Sequence, residues 1–197
     1  MSVSDWYRSR CGGDSSAVAS LLTGGVVQVC GSDQACAAIK ADGNVVTWGD
    51  SRCGGNSSAI APLLTDVVQV CGTCSAFAAI KGDGSVLTWG NSRCGGNSSA
   101  VAPLLTEGVV KVCGCDQAFA AIKEDGSVVS WGDARCGGDS SAVAPLLTGG
   151  VVQVYGNHNA FAAIKEDGSV VTWGDARCGG NSTAVAPHLT EGVIQVC

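Results

Sequence analysis

Five tryptophans mark off the chain at a near-constant interval: Trp6, Trp48, Trp89, Trp131 and Trp173 follow one another at 42, 41, 42 and 42 residues. A period in this range signals one supersecondary unit repeated in tandem, in which no unit buries its apolar faces alone and stacked neighbours do so together. The single short step falls at Leu64-Thr65-Asp66-Val67, where other copies read Leu-Thr-Gly-Gly-Val or Leu-Thr-Glu-Gly-Val. A deletion tolerated there marks that junction as a loop.

Within a unit the order of segments is constant. Val109-Val110-Lys111-Val112-Cys113 is a short β-branched run closed by Gly114. The apolar run Ala118-Phe119-Ala120-Ala121-Ile122-Lys123 follows, then Glu124-Asp125-Gly126, then Ser127-Val128-Val129-Ser130-Trp131-Gly132. Two such runs around Asp-Gly predict a β-hairpin with a tight primed turn, since Gly supplies the positive φ without steric cost. The dipeptide recurs as Asp42-Gly43, Asp83-Gly84 and Asp167-Gly168, so four hairpins are expected. In the remainder, such as Arg135-Cys136-Gly137-Gly138-Asp139-Ser140-Ser141-Ala142-Val143-Ala144-Pro145, Gly-Gly reads as a turn. The Asp or Asn with its Ser-Ser is expected to cap a short helical turn over Ala-Val-Ala, and Pro to end it. The connector is therefore a loop with one helical turn or a short outer strand.

Nothing sustains a 3.6-residue period over ten residues, so three strands plus a connector per unit favour a propeller blade over a helical solenoid. Apolar residues make up 46% of the chain but aromatics only 5%, so the core is expected to rest on small and β-branched side chains.

The succession Val-Val-Gln-Val-x-Gly, an apolar strand, then Asp-Gly-x-Val-Val-x-Trp-Gly-x-x-x-x-Gly resembles the RCC1 repeat. The most specific part runs from Asp125-Gly126 through Trp131-Gly132 to Gly137, and the likeness extends over essentially the whole chain. The unit is shorter than the family's. Gln34, Ser75, Gln117 and Asn159 stand near a place where the family carries His, and Gly-Gly-Asn-Ser or Gly-Gly-Asp-Ser replaces its Gly-Gln-Leu-Gly-like ending. The resemblance implies an all-β, tandem-repeat RCC1-like β-propeller of about five short blades, with an incomplete or open blade. One repeat domain would cover 1–197, with units near 7–48, 49–89, 90–131 and 132–173 and partial repeats at 1–6 and 174–197. Ser2-Val3-Ser4-Asp5-Trp6 aligns with the third strand and Gly192-Val193-Ile194-Gln195-Val196-Cys197 with the first, so the two ends are expected to share a composite blade. A compact five-unit arrangement is favoured over an open arc or a fragment of a longer array.

Each recurrent side chain has a structural and a functional reading. Trp48, Trp89, Trp131 and Trp173 are expected as the large core residue of each blade, a stacking face being the alternative. Arg52, Arg93, Arg135 and Arg177 recur once per unit and are expected to pair with Asp50, Asn91, Asp133 or Asp175 of their own loops or to cap backbone carbonyls there. The functional alternative is a binding rim for a carboxylate-rich partner. The cysteines form two series, Cys11, Cys53, Cys94, Cys136 and Cys178 in Arg-Cys-Gly-Gly, and Cys30, Cys71, Cys113 and Cys197 at strand ends. They read as small buried hydrophobes. Disulfides between the series and metal ligation through Cys71-x-x-Cys74 or Cys113-x-Cys115 are the alternatives. Cys36 occupies the place of Phe77, Phe119 and Phe161 and is expected in the core. His158 and His188 read as surface singletons. No catalytic residue, cofactor site or metal site is expected, because near-identical units do not converge unlike groups on one point.

With 14% charged residues and a net charge of -6, the chain lacks the basic footprint of a nucleic-acid binder. No run of apolar residues is long enough for a transmembrane helix, and the first residues lack a secretory signal pattern. Reduced thiols are then the default. These features point to a non-enzymatic protein-interaction scaffold, or a structural accessory subunit docking onto a larger protein assembly, with peripheral membrane association left open. The resemblance implies instead a regulatory module acting on a small GTPase, or the targeting region of a ubiquitin ligase. It also implies a cytoplasmic or nuclear location; an organellar complex is the alternative if a transit peptide has been removed.

Overall fold

The computed structural model describes residues 14–196. Its strands form four consecutive three-stranded antiparallel sheets, each a meander in sequence order. The first is β1 (Val26–Gly31), β2 (Ala35–Lys40) and β3 (Val45–Gly49); the second is β4 (Val67–Gly72), β5 (Ala76–Lys81) and β6 (Val86–Gly90). The third is β7 (Val109–Gly114), β8 (Ala118–Lys123) and β9 (Val128–Gly132), and the fourth is β10 (Val151–Gly156), β11 (Ala160–Lys165) and β12 (Val170–Gly174). No strand pairing joins one sheet to another among the described residues.

The middle strand explains why neighbouring sheets stack. Ala-Phe-Ala-Ala-Ile is apolar at every position, and period-2 alternation sends its side chains to both faces of the sheet. Ala76, Ala78 and Ile80 pack forward with Phe119, Ala121 and Trp131 of the next unit, while Phe77 and Ala79 pack backward with Ala35, Ala37 and Ile39. The fourth sheet repeats this against the third. Alanine at the crowded positions lets adjacent sheets approach closely, and Phe77, Phe119 and Phe161 are each fully buried.

The hairpin turns differ from the tight primed form expected of Asp-Gly. Lys40 N donates to Asn44 O at 2.8 Å and Gly43 N to Lys40 O at 2.9 Å, so the loop has three residues, Ala41-Asp42-Gly43. Gly43 has φ +77°, whereas Asp42 does not enter positive φ. A primed turn requires positive φ at both central residues; here a type I turn followed by a left-handed glycine makes a bulged hairpin. The aspartate contributes through its side chain, because Asp42, Asp83, Asp125 and Asp167 each accept the amide two residues on.

The connectors contain 3-10 turns, at Ser99–Leu104, Ser141–Leu146 and Thr183–His188, with a shorter one at Ala61–Leu63. Proline lies inside the longer turns instead of ending them. The residue after the turn closes it, as when Leu105 N donates to Ala102 O at 3.0 Å. The cap is also displaced: Asn97 Oδ1 accepts from Ser99 N, while the Ser98 side chain caps nothing.

The composite end blade is not formed by the residues described. Ser2–Trp6 and the first Arg-Cys pair lie outside them, and 193–196 adopts no strand. Val193 N does donate to Gly168 O at 3.1 Å, repeating the bond from Val151 N to Gly126 O at 3.0 Å. The C-terminal segment therefore starts like a further first strand, and the described residues hold four sheets, not five.

Candidate functional site

Three surfaces emerge from the repeat. The first carries the Arg-Cys-Gly-Gly loops. Asp50 caps the 3-10 turn Ser51–Cys53 by accepting Arg52 N, and Gly54 closes it at φ +89°. In the next unit, Trp89 Nε1 donates to Gly54 O at 3.0 Å, and the same bond joins Trp131 to Gly95 and Trp173 to Gly137. These tryptophans and Trp48 are buried. Each of the three stacks on the facing phenylalanine, Phe77 on Trp89, Phe119 on Trp131 and Phe161 on Trp173, with ring centroids 5.3 Å apart. The loop of one unit is thus latched on the aromatic pair of the next. Cys36 takes the phenylalanine's place opposite Trp48 and is buried too.

The arginines point outward. Arg52, Arg135 and Arg177 pair with Asp50, Asp133 and Asp175 of their own loops at 2.7–2.8 Å, and their side chains are 83–89% exposed. The hydrogen bonds from Arg177 hold the Asp175 carboxyl down to about 2. Arg93 has Asn91 in the carboxylate's place.

A second surface lies where the first strands end. Gly31, Gly72, Gly114 and Gly156 stand in close file: a Cβ on Gly72 would lie 2.6 Å from Gly31 O, and one on Gly114 2.6 Å from Gly72 O. Beyond them the backbone continues as a ladder, Asp33 N to Cys74 O, Cys74 N to Asp116 O and Asp116 N to His158 O, at 2.9–3.1 Å. The ladder lines an open groove of about 690 Å³. Its side chains differ from unit to unit, and His158 Nδ1 lies 3.2 Å from Asp116 Oδ2. His158 lies at the surface as expected of a singleton, but it has an acidic partner that was not expected. The two residues are 42 apart, one full period, so they are neighbours across the stack and not along the chain. His188 is exposed.

Just beneath this groove the cysteines are arranged in a way that local spacing did not disclose. The Thr73 hydroxyl donates to Cys94 O at 2.9 Å, tying the turn after β4 to the unit's Arg-Cys-Gly-Gly loop. Ser32 makes the same tie to Cys53 O, and Asn157 Nδ2 makes it to Cys178 O. In this unit alone the following residue is a cysteine, and Cys74 Sγ lies 3.5 Å from Cys94 Sγ. The strand-end thiols Cys30, Cys71 and Cys113 are half-buried in the stack, and desolvation between the neighbouring units pushes Cys71 up to about 12. Among the described residues no three metal-ligating side chains converge.

The third surface is the turn edge. Val27, Val68, Val110 and Val152, and Leu21, Leu63, Leu104 and Leu146, are each more than half exposed, once per unit in two files. In the sequence Asp66 falls between Leu63 and Val68, and Glu107 between Leu104 and Val110; the other two units carry Gly-Gly at this junction. An adjoining groove of about 360 Å³ is lined by Asp83, Glu107, Glu124 and Asp125 together with Lys123 and Gly108. The lysine ammoniums of the neighbouring strands turn back onto connector carbonyls, Lys40 to Leu21 O at 2.6 Å and Lys165 to Leu146 O at 3.2 Å.

The sheets and their latched loops define an RCC1-like β-repeat fold. Among solved structures, the chain is similar to Prp20p from Saccharomyces cerevisiae (TM-score 0.57, 18% identity, covering 78% of this chain and 46% of that one). Human WBSCR16 is similar over 81% of this chain and 51% of its own, with TM-score 0.53 and 18% identity. The CRINKLY WD40 ectodomain of the Arabidopsis thaliana receptor kinase ACR4 matches with TM-score 0.52 and 17% identity, covering 76% of this chain and 49% of that one. The chain thus spans about half the length of these structures, and identities at this level establish the fold alone. No protein-family model matches the sequence, and no curated protein matches it either.

Proposed function

We propose that this chain is a non-enzymatic protein-interaction module, a scaffold or accessory subunit, that docks on a protein partner through its turn edge. The observation that carries the reading is the pair of exposed apolar files, repeated in register from unit to unit. Exposed apolar side chains that recur at the same place in every unit support an interaction surface. Burial of these half-exposed side chains would contribute roughly 1 kcal/mol each before the costs of association. The RCC1-like neighbours support the class: Prp20p has described binding to Gsp1p and histones. The non-enzymatic part rests on exposure, since Asp116 and His158 are 51% and 85% solvent-exposed and gain nothing from desolvation.

The test is purification of the intact chain from its source cells, beside a Val68→Asp, Val110→Asp variant. A partner recovered stoichiometrically with the wild type and lost from the folded variant is the expected result. Recovery of monomer alone, or a partner unaffected by the variant, overturns the reading. Acceleration of nucleotide release from a small GTPase would replace it with a regulatory one.

A further inference from the structure

We infer that Cys74 and Cys94 are a disulfide-forming pair, oxidised within the folded unit by a low-molecular-weight disulfide such as oxidised glutathione. Their sulfurs are 3.5 Å apart, with the Cys74 thiol donating to Cys94. Closure to a bonded distance of about 2.05 Å takes rotation of two thiols, provided the backbones are already close. They are, because the single hydroxyl of Thr73 reaches the Cys94 carbonyl at 2.9 Å.

The two thiols have different roles. Cys74 lines the open groove and is only partly buried, so it meets the oxidant first. Cys94 is buried beneath it, and burial together with the adjoining Cys74 thiol pushes it up to about 12. Cys74, as thiolate, attacks one sulfur of oxidised glutathione and expels one glutathione thiolate. Cys94 then gives up its proton, attacks the Cys74 sulfur of the mixed disulfide and expels the second. Two protein thiols and one glutathione disulfide become one protein disulfide and two glutathione thiols, with two electrons passing to glutathione.

The array supplies its own control. Cys115 and Cys136 join the corresponding two loops one unit later, yet Cys115 Sγ donates to Cys136 O at 3.2 Å and Cys136 Sγ to Asn159 Oδ1 at 3.1 Å. Those thiols face polar oxygens instead of each other. At the position of Cys74 the other units carry Asp33, Asp116 and His158, so the pair occurs once.

The experiment treats the folded full chain with oxidised glutathione, blocks remaining thiols by alkylation and maps tryptic peptides. Cleavage after Lys81 and Arg93 places the two cysteines on separate peptides. The expected product is a Cys74–Cys94 cross-link, two hydrogens lighter than the reduced pair. Cys94→Ser should keep glutathione on Cys74 as a lasting mixed disulfide, Cys74→Ser should abolish the cross-link, and Cys115→Ser should leave it unchanged. Circular dichroism on each variant separates misfolding from loss of the pair. A stable glutathione adduct on wild-type Cys74, or a Cys115–Cys136 link formed as readily, overturns the inference.

Discussion

Gly95 and Gly179 are equivalent residues of two Arg-Cys-Gly-Gly loops, both at φ +90°, and they differ in one respect. A Cβ added to Gly95 would lie 2.5 Å from Cδ2 and 2.9 Å from Cε2 of Phe119, while one added to Gly179 meets nothing within 4 Å. Gly95→Ala and Gly179→Ala therefore share the backbone penalty of a left-handed alanine, about 1 kcal/mol. Gly95→Ala also forces a methyl into a ring that is fully buried and stacked on Trp131. Overpacking of that kind costs about 1–3 kcal/mol. The expected loss is about 2–4 kcal/mol at Gly95 against about 1 kcal/mol at Gly179, read from equilibrium urea unfolding by tryptophan fluorescence. Equal losses at the two sites would refute the claim that each loop is clamped by the following unit. A larger loss at Gly179 would mean that its face is covered by something better packed than Phe119.

Other consequences are testable on the same footing. Trp131→Phe keeps the ring stack but removes the donor to Gly95 O, leaving a carbonyl without its bond; a cost of about 1–3 kcal/mol in urea unfolding is expected. Asp66 is a non-glycine residue at φ +56° where other units place glycine, so Asp66→Gly should raise stability by up to about 1 kcal/mol in the same assay. The Asp175 carboxyl is lowered from 3.8 to about 2 by its bonds from Arg177. The stabilisation it contributes is complete above pH 3.8 and is lost as pH falls through about 2. Asp175→Asn should reduce the dependence of the melting temperature on pH across that window, Asp50 and Asp133 retaining theirs, and an unchanged profile would deny the pair any role in stability.

The repeat made most of the fold legible, because Asp-Gly turns, β-branched runs and periodic tryptophans each point to the same blade-like unit. Turn geometry was less legible. Asp-Gly suits a primed turn and a bulged three-residue loop equally, and the choice rests on the pairing of Lys40 with Asn44, which composition does not encode. The Pro at 103 was expected to end its helical turn, but a 3-10 turn whose bond comes from the next residue's amide accommodates it.

The candidate site was harder to see for a reason that repeat architecture makes general. Along the chain, Cys71-x-x-Cys74 has the spacing of a metal pair and His158 stands alone. In a stack, the nearest neighbour of a loop residue is the same column one period away, as Asp116 is to His158. Within one unit, the loops that enter and leave the hairpin meet at its open end, as Cys74 and Cys94 do 20 residues apart. Columns that hold one residue type, such as the tryptophans, carry the scaffold and reveal little beyond it. The column Asp33, Cys74, Asp116, His158 varies while its backbone ladder stays fixed, so its side chains are free of any duty to the fold. Chemistry in an array of near-copies is therefore to be sought where the backbone repeats and the side chains do not.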